Sequence, residues 1–470
     1  MHDRSGGIAL HDLSAVEMID GFRAKSFSPT EVLEDVLAHV AAWEPHIKAL
    51  YAFDPDGARV AARASTERWA KGTPQGVLDG VPTTVKENIA TKGVAVPMGT
   101  AATTLVPAAV DAPPAARLRE AGAVIFSKTT MPDYGMLSSG ASSFHPLTRN
   151  PWDITQNPGG SSAGAGAAAA AGYGPLHLGT DIGGSVRLPA CWCGLVTLKP
   201  SLGRVPIDPP YVGRCAGPMT RTVDDTALMM SVLSLPDGRD GMSLPPETID
   251  WRNLAISPKG LRIGLMLDLG FGLPLDPEVR EVAINAARAF EKAGAVVTDV
   301  ASVMSGETLI GLDAFWRARS WGDISKMPAS QRDKILPFIL EWAEGGAKLT
   351  GTDVVNGFNM TMAIRTAAAK LFADVDYVIS PVAPIISYSA ELASPTDDAN
   401  RPLEHIGYTV PWNMAENPAS SINGGYSKNG FPIGVQIVGR RFDDFGVLRM
   451  TKTFEAMRGP QRPWPSPPKA

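Results

Sequence analysis

Pro158-Gly159-Gly160-Ser161-Ser162-Ala163-Gly164 opens a run that passes through an alanine-rich stretch. It reaches Gly179-Thr180-Asp181-Ile182-Gly183-Gly184-Ser185-Val186-Arg187-Leu188-Pro189-Ala190. Two Gly-Gly-Ser turns each lead into an expected helix, with one helix (163–172) and one extended segment (175–179) between them. That order of elements can return the second turn close to the first. Each turn offers backbone N–H groups near a helix N-terminus, where negative charge is held well. The glycines allow close approach and unusual φ.

Working outward, the pattern alternates. Val81 to Lys86, Ala123 to Phe126, Leu195 to Leu198, Leu261 to Leu265, Val296 to Val300, Tyr377 to Ser380 and Ile433 to Val438 read as strands. Ala115 to Ala121, Pro277 to Ala293 and Phe445 to Met457 read as helices. Strands alternating with helices imply an α/β fold: a large mixed, twisted sheet covered by helices on both faces. Residues 1–70 read as an N-terminal helical segment packed on a core of 71–465. There Ser28-Pro29-Thr30-Glu31 is a capping box, followed by Val32, Val36, Val40 and Trp43 at helical spacing. Residues 305–373 read as a helical cap over the active site. Stretches 236–260 and 387–401 are rich in turn formers and read as loops.

The 470 residues are 44% apolar and 19% charged, ordinary for a globular protein. A net charge of −5 without a basic block gives no support for nucleic-acid binding. The three cysteines, Cys191, Cys193 and Cys215, fit a reducing cytoplasm and no disulfide framework. Cys-x-Cys without a second pair reads as core packing, not a metal site. Residues 1–7 lack the apolar region of a signal peptide. The Ala/Gly stretch at 163–174 is too short to span a bilayer.

Three chemistries compete for the Gly-Gly-Ser turns. A phosphate loop needs a Lys at its end, and none occurs between Lys128 and Lys199. A nucleophile elbow would use Ser162 in Gly160-Ser161-Ser162-Ala163-Gly164. It needs a strand just before it, where this chain has polar residues ending in Pro158, and a downstream His, which leaves His177 and His405. A Ser activated by neutral Lys needs no histidine. Ser-x-x-Lys occurs only at Ser466-Pro467-Pro468-Lys469, in a proline-rich tail that cannot be helical. A Ser–Lys pair must therefore be assembled from distant segments, and Lys86, after an apolar β-like run, is the candidate. Bringing its pKa from about 10.4 to a useful 7–8 takes on the order of 4 kcal/mol of desolvation or like-charge repulsion.

In these residues the chain resembles the amidase signature family. Besides the segment above, the match includes Asn150-Pro151-Trp152, Leu198-Lys199-Pro200-Ser201-Leu202-Gly203-Arg204-Val205 and Gly217-Pro218-Met219-Thr220-Arg221-Thr222-Val223-Asp224-Asp225. Gly430 to Gly439 continues it. The resemblance implies Ser185 as nucleophile, Ser161 as bridging serine after a cis peptide bond to Gly160, and Lys86 as base. It implies N–H groups of Ile182, Gly183, Gly184 and Ser185 as the oxyanion hole, Gly135 touching substrate through its backbone, and Asp181 and Arg187 bracing the loop. Ser162 reads as a neighbour hydrogen-bonding within the turn.

The implied activity is hydrolysis of a small-molecule amide or carbamate, without cofactor or metal, by a monomer or homodimer with no membrane or nucleic-acid partner. Phe315, Trp316, Trp321, Phe338, Ile339 and Trp342 suggest a pocket for apolar or aryl groups, as in aryl acylamidases and urethanases. The alternative is the glutaminase component, the A subunit, of a tRNA-dependent amidotransferase. Where that branch carries an acid for the glutamine amino group, a simple alignment has Ile406. Asn423-Gly424-Gly425 replaces its downstream Pro-containing turn.

Overall fold

Apolar runs flanked by turn formers become strands that order into one sheet. In the computed structural model, which describes residues 9–468, these are β1 (Leu50–Tyr51), β2 (Pro82–Lys86), β3 (Val124–Thr129), β4 (Leu176–Asp181), β5 (Val196–Lys199), β6 (Cys215–Thr220), β7 (Arg262–Leu265), β8 (Val296–Asp299), β9 (Tyr377–Pro381), β10 (Ala419–Tyr426) and β11 (Pro432–Gly439). They form an eleven-stranded mixed sheet in the order β1-β3-β2-β4-β6-β5-β10-β11-β9-β7-β8. β2 pairs in parallel with both β3 and β4, and β7 with β8 and β9; the other pairings are antiparallel. The readings of residues 1–7 and of the 466–469 tetrapeptide, whose Lys469 is its chemical point, lie outside the described residues.

The sequence reading missed two central strands. β6 contains Gly217-Pro218, two strand-breaking residue types that gave no strand signal, yet it is fully buried between β4 and β5. β10 contains Asn423-Gly424-Gly425, which stand where the amidotransferase branch is expected to have a Pro-containing turn. Here the segment is a strand whose register shifts between Asn423 and Gly425. A Cβ on Gly424 would come within 2.5 Å of Val435 Cγ2, so a close neighbour explains that glycine, not chain reversal.

The N-terminal helices start as expected. Ser28 and Glu31 cap the helix Pro29–Ile47, whose Val32, Val36, Val40 and Trp43 are buried. They join Val85 and Leu178 of the sheet in one apolar core. The helix Ala163–Ala171 is buried along its whole length, because alanine and glycine let it lie against the sheet. Residues 306–324 and 351–374 are long helices with shorter ones between them. Trp316, Ile339 and Trp342 form a second core with Leu188, Trp192 and Ile406. Phe315, Trp321 and Phe338 pack against it half-buried. Among the described residues, no helix is long and apolar enough to cross a membrane.

Candidate active site

β2 and β4 are parallel neighbours, so their C-terminal ends fall at the same side of the sheet. Lys86 ends β2 and Asp181 ends β4. The two Gly-Gly-Ser turns converge there. Ser162 N donates to Ser185 O at 3.2 Å, tying one turn to the other. The Gly160–Ser161 peptide bond is cis.

Lys86 is fully buried, and its Nζ lies 2.8 Å from Ser161 Oγ and 3.0 Å from Ser162 Oγ. Burial drives its pKa well below the ordinary lysine value. The Arg214 charge adds to that, while Asp181 and Glu87 oppose it. Burial and the Arg214 charge both favour the neutral amine over the ammonium. Ser161 and Ser185 are 4% and 9% exposed, so a substrate that reaches Ser185 meets little water.

Ser162 is more than a turn residue. Its Oγ holds Lys86 and also donates to Thr180 O at 3.1 Å, fixing the amine against β4. Its adjacency to Ser161 was the signal available in the sequence. The histidines stay apart: His177 bonds to Thr84 Oγ1 and Gly174 O, and His405 stacks on Trp192. Burial pushes His177 down to about 4 and His405 to about 3. The nucleophile-elbow chemistry therefore has neither its base nor a free Ser162.

The loop 181–187 is braced from below. Burial alone would raise the Asp181 pKa, but the Arg187 charge and hydrogen bonds more than offset it and hold the carboxyl well below the usual range. Asp181 and Arg187 are both sealed, joined at 2.9 Å. Arg187 also donates to Thr409 O and Gln436 Oε1, each at 2.8 Å. Asn413 Nδ2 reaches Asp181 Oδ1 at 2.9 Å and Gly213 O at 2.9 Å. Thr409 Oγ1 donates to Gly183 O at 2.6 Å. Asn413, Thr409 and Gln436 lie more than 220 residues from the loop they hold, so no local pattern signals that they brace it.

Gly184 also takes part in this network. Its N–H donates to Asp181 Oδ1 at 2.8 Å and is already engaged as part of the brace. Ile182, Gly183 and Ser185 remain as the candidate oxyanion donors. Gly135 faces the site with φ +69°, and a Cβ there would lie 3.3 Å from Ser161 Oγ. The cleft before Ser185 is lined by Gly135, Met136, Leu137, Ser138, Ile182, Gly183, Trp316, Arg319, Leu403 and Ile406. Ile406 does stand in the cleft, and neither Asp397 nor Asp398 lines it.

Lys86, Ser161 and Ser162 thus meet at the end of β2, beside a largely apolar cleft that holds Ser185. The model of the family described as Amidase matches residues 31–448, and the chain belongs to that amidase signature family. It is 33% identical to an acylamidase of Rhodococcus erythropolis over 97% of this chain and 96% of that protein. It is 32% identical to the A subunit of the glutamyl-tRNA(Gln) amidotransferase of Myxococcus xanthus, over 95% of this chain and 97% of that one. Among solved structures, a bacterial aryl acylamidase of the family superposes with a TM-score of 0.87 at 28% identity, covering 95% and 96% of the two chains.

Proposed function

We propose that the chain cleaves the C–N bond of small linear amides and carbamates through an acyl-enzyme on Ser185, preferring apolar or aryl groups. The observation that carries this is the sealed Lys86 amine, 2.8 Å from Ser161 Oγ, beside a serine that opens on an apolar cleft. Neutral Lys86 takes a proton from Ser161, which takes one from Ser185 as Ser185 Oγ attacks the carbonyl carbon. The N–H groups of Ile182, Gly183 and Ser185 receive the oxyanion. The proton returns through Ser161 to the leaving nitrogen as the C–N bond breaks. Water then attacks the acyl-enzyme by the same relay. On a carbamate, loss of the amine leaves an alkoxycarbonyl (carbonate) ester of Ser185, which water then hydrolyses.

Trp316, Leu403 and Ile406 suit an aryl or apolar group, as the likeness to an acylamidase and an aryl acylamidase supports. Residues 305–373 act as the cap, and the protein works as a cytoplasmic monomer or homodimer. The reading as an amidotransferase component is weaker: Ile406 and the other lining residues offer no carboxylate to a glutamine amino group. The test is hydrolysis of 4-nitroacetanilide, an aryl carbamate, aliphatic amides and glutamine by the wild type and Ser185→Ala. Turnover of glutamine alone would sink the aryl-amide preference.

A further inference from the structure

The cleft in front of Ser185 is apolar except at its mouth. Met136, Leu137, Ile182, Trp316, Leu403 and Ile406 give it carbon surface. Arg319 is its one charged lining side chain among the described residues. Arg319 comes from the helix Gly306–Ile324 and is held with its guanidinium carbon 3.9 Å from the Tyr211 ring centroid. Stacking of this kind fixes the plane of the guanidinium and leaves its edge N–H groups available. A second guanidinium, Arg214, follows Tyr211 by three residues and donates to the Pro209 carbonyl at 3.0 Å. Its charge acts both on Arg319's neighbourhood and on Lys86.

The acids near this pair are Asp208, acting on Arg214, and Asp323, one turn beyond Arg319; both are exposed. Neither arginine makes an ion pair with a carboxylate among the described residues. Arg319 is exposed at the cleft and Arg214 half-buried, and burial together with the Arg319 charge lowers the Arg214 pKa, so an anion beside the pair relieves their repulsion. A carboxylate accepts two parallel N–H bonds from one guanidinium and is stabilised by the second charge.

We infer that Arg319, backed by Arg214, anchors an anionic group of the substrate, so that the cleft takes an amide whose apolar body carries a carboxylate. Arg319 touches that carboxylate; Arg214 supplies charge behind it. The inference rests on the amide-hydrolysis reading and narrows its substrate class.

The test compares kcat/KM for two matched pairs: N-phenylsuccinamate against N-phenylbutanamide, and 4-acetamidobenzoate against 4-methylacetanilide. At least one anionic member exceeds its neutral partner by about tenfold or more, mainly through KM. In Arg319→Gln that ratio falls to within about twofold of unity, and Arg319→Lys restores part of it. Equal or better use of both neutral partners by the wild type overturns the anchor and leaves amide hydrolysis standing. So does a parallel fall of both members in Arg319→Gln, which is what a purely structural arginine would give. If folded wild type cleaves none of the four, the amide reading fails and the anchor with it.

Discussion

Lys86 Nζ stands 2.8 Å from Ser161 Oγ in a place where the lysine has no exposure to solvent. The contact joins the end of β2 to a turn 75 residues later.

The first prediction concerns pH. Because burial lowers the Lys86 pKa, kcat/KM rises along an acid limb that lies below the ordinary lysine range. Stability follows the same group. Between its folded value and 10.5 the unfolded chain binds one proton more than the folded chain, so the Lys86 contribution to stability rises with pH across that window. Lys86→Met removes it. Thermal melts from neutral to alkaline pH should show a shallower rise for this variant than for the wild type, while Lys128 and Lys199 contribute equally to both.

Ser162 separates holding the base from doing the chemistry. Ser162→Ala removes a 3.0 Å partner of Lys86 and the bond to Thr180 O. Activity should fall by about tenfold and stability by about 1 kcal/mol, far short of the loss in Ser185→Ala. Steady-state kinetics and urea unfolding check both numbers.

The brace under the loop is a sealed ion pair, so breaking it leaves a buried charge without its partner. Arg187→Met should cost about 3–5 kcal/mol in chemical unfolding. In the wild type the Asp181 contribution is fully present above its unfolded value of 3.8 and is lost as pH falls toward its lower folded value. The stability gap between wild type and variant should therefore narrow as pH falls through that window.

Gly135 tests the substrate-facing backbone. Gly135→Ala has to hold a side chain at φ +69° with its Cβ 3.3 Å from Ser161 Oγ. The expected stability loss is about 1 kcal/mol, with a larger fall in kcat than that alone explains. Equal kcat in a stable variant would remove Gly135 from the site.

Much of this was legible in the sequence. The strands that carry the site, β2 and β4, coincide with the segments 81–86 and 175–179 that read as extended, and the two Gly-Gly-Ser turns stand out by their spacing around one helix and one strand. β6 and β10 were not legible, since Gly217-Pro218 and Gly424-Gly425 read locally as breakers and only burial between neighbouring strands makes them extended. The Gly184 hydrogen bond to Asp181 escaped for another reason: spacing shows which N–H groups cluster but not which one a carboxylate has already taken. Asn413 and Thr409 reach the loop only through tertiary folding, and no local pattern marks them.

The most direct measurement is the site of acylation. Wild type is mixed with 4-nitroacetanilide, quenched in acid during turnover, digested and analysed by mass spectrometry. The account predicts an acetyl group on Ser185, absent from Ser185→Ala and formed far more slowly in Lys86→Met. An acetyl group on Ser161 or Ser162, or unimpaired turnover by Ser185→Ala, would contradict it.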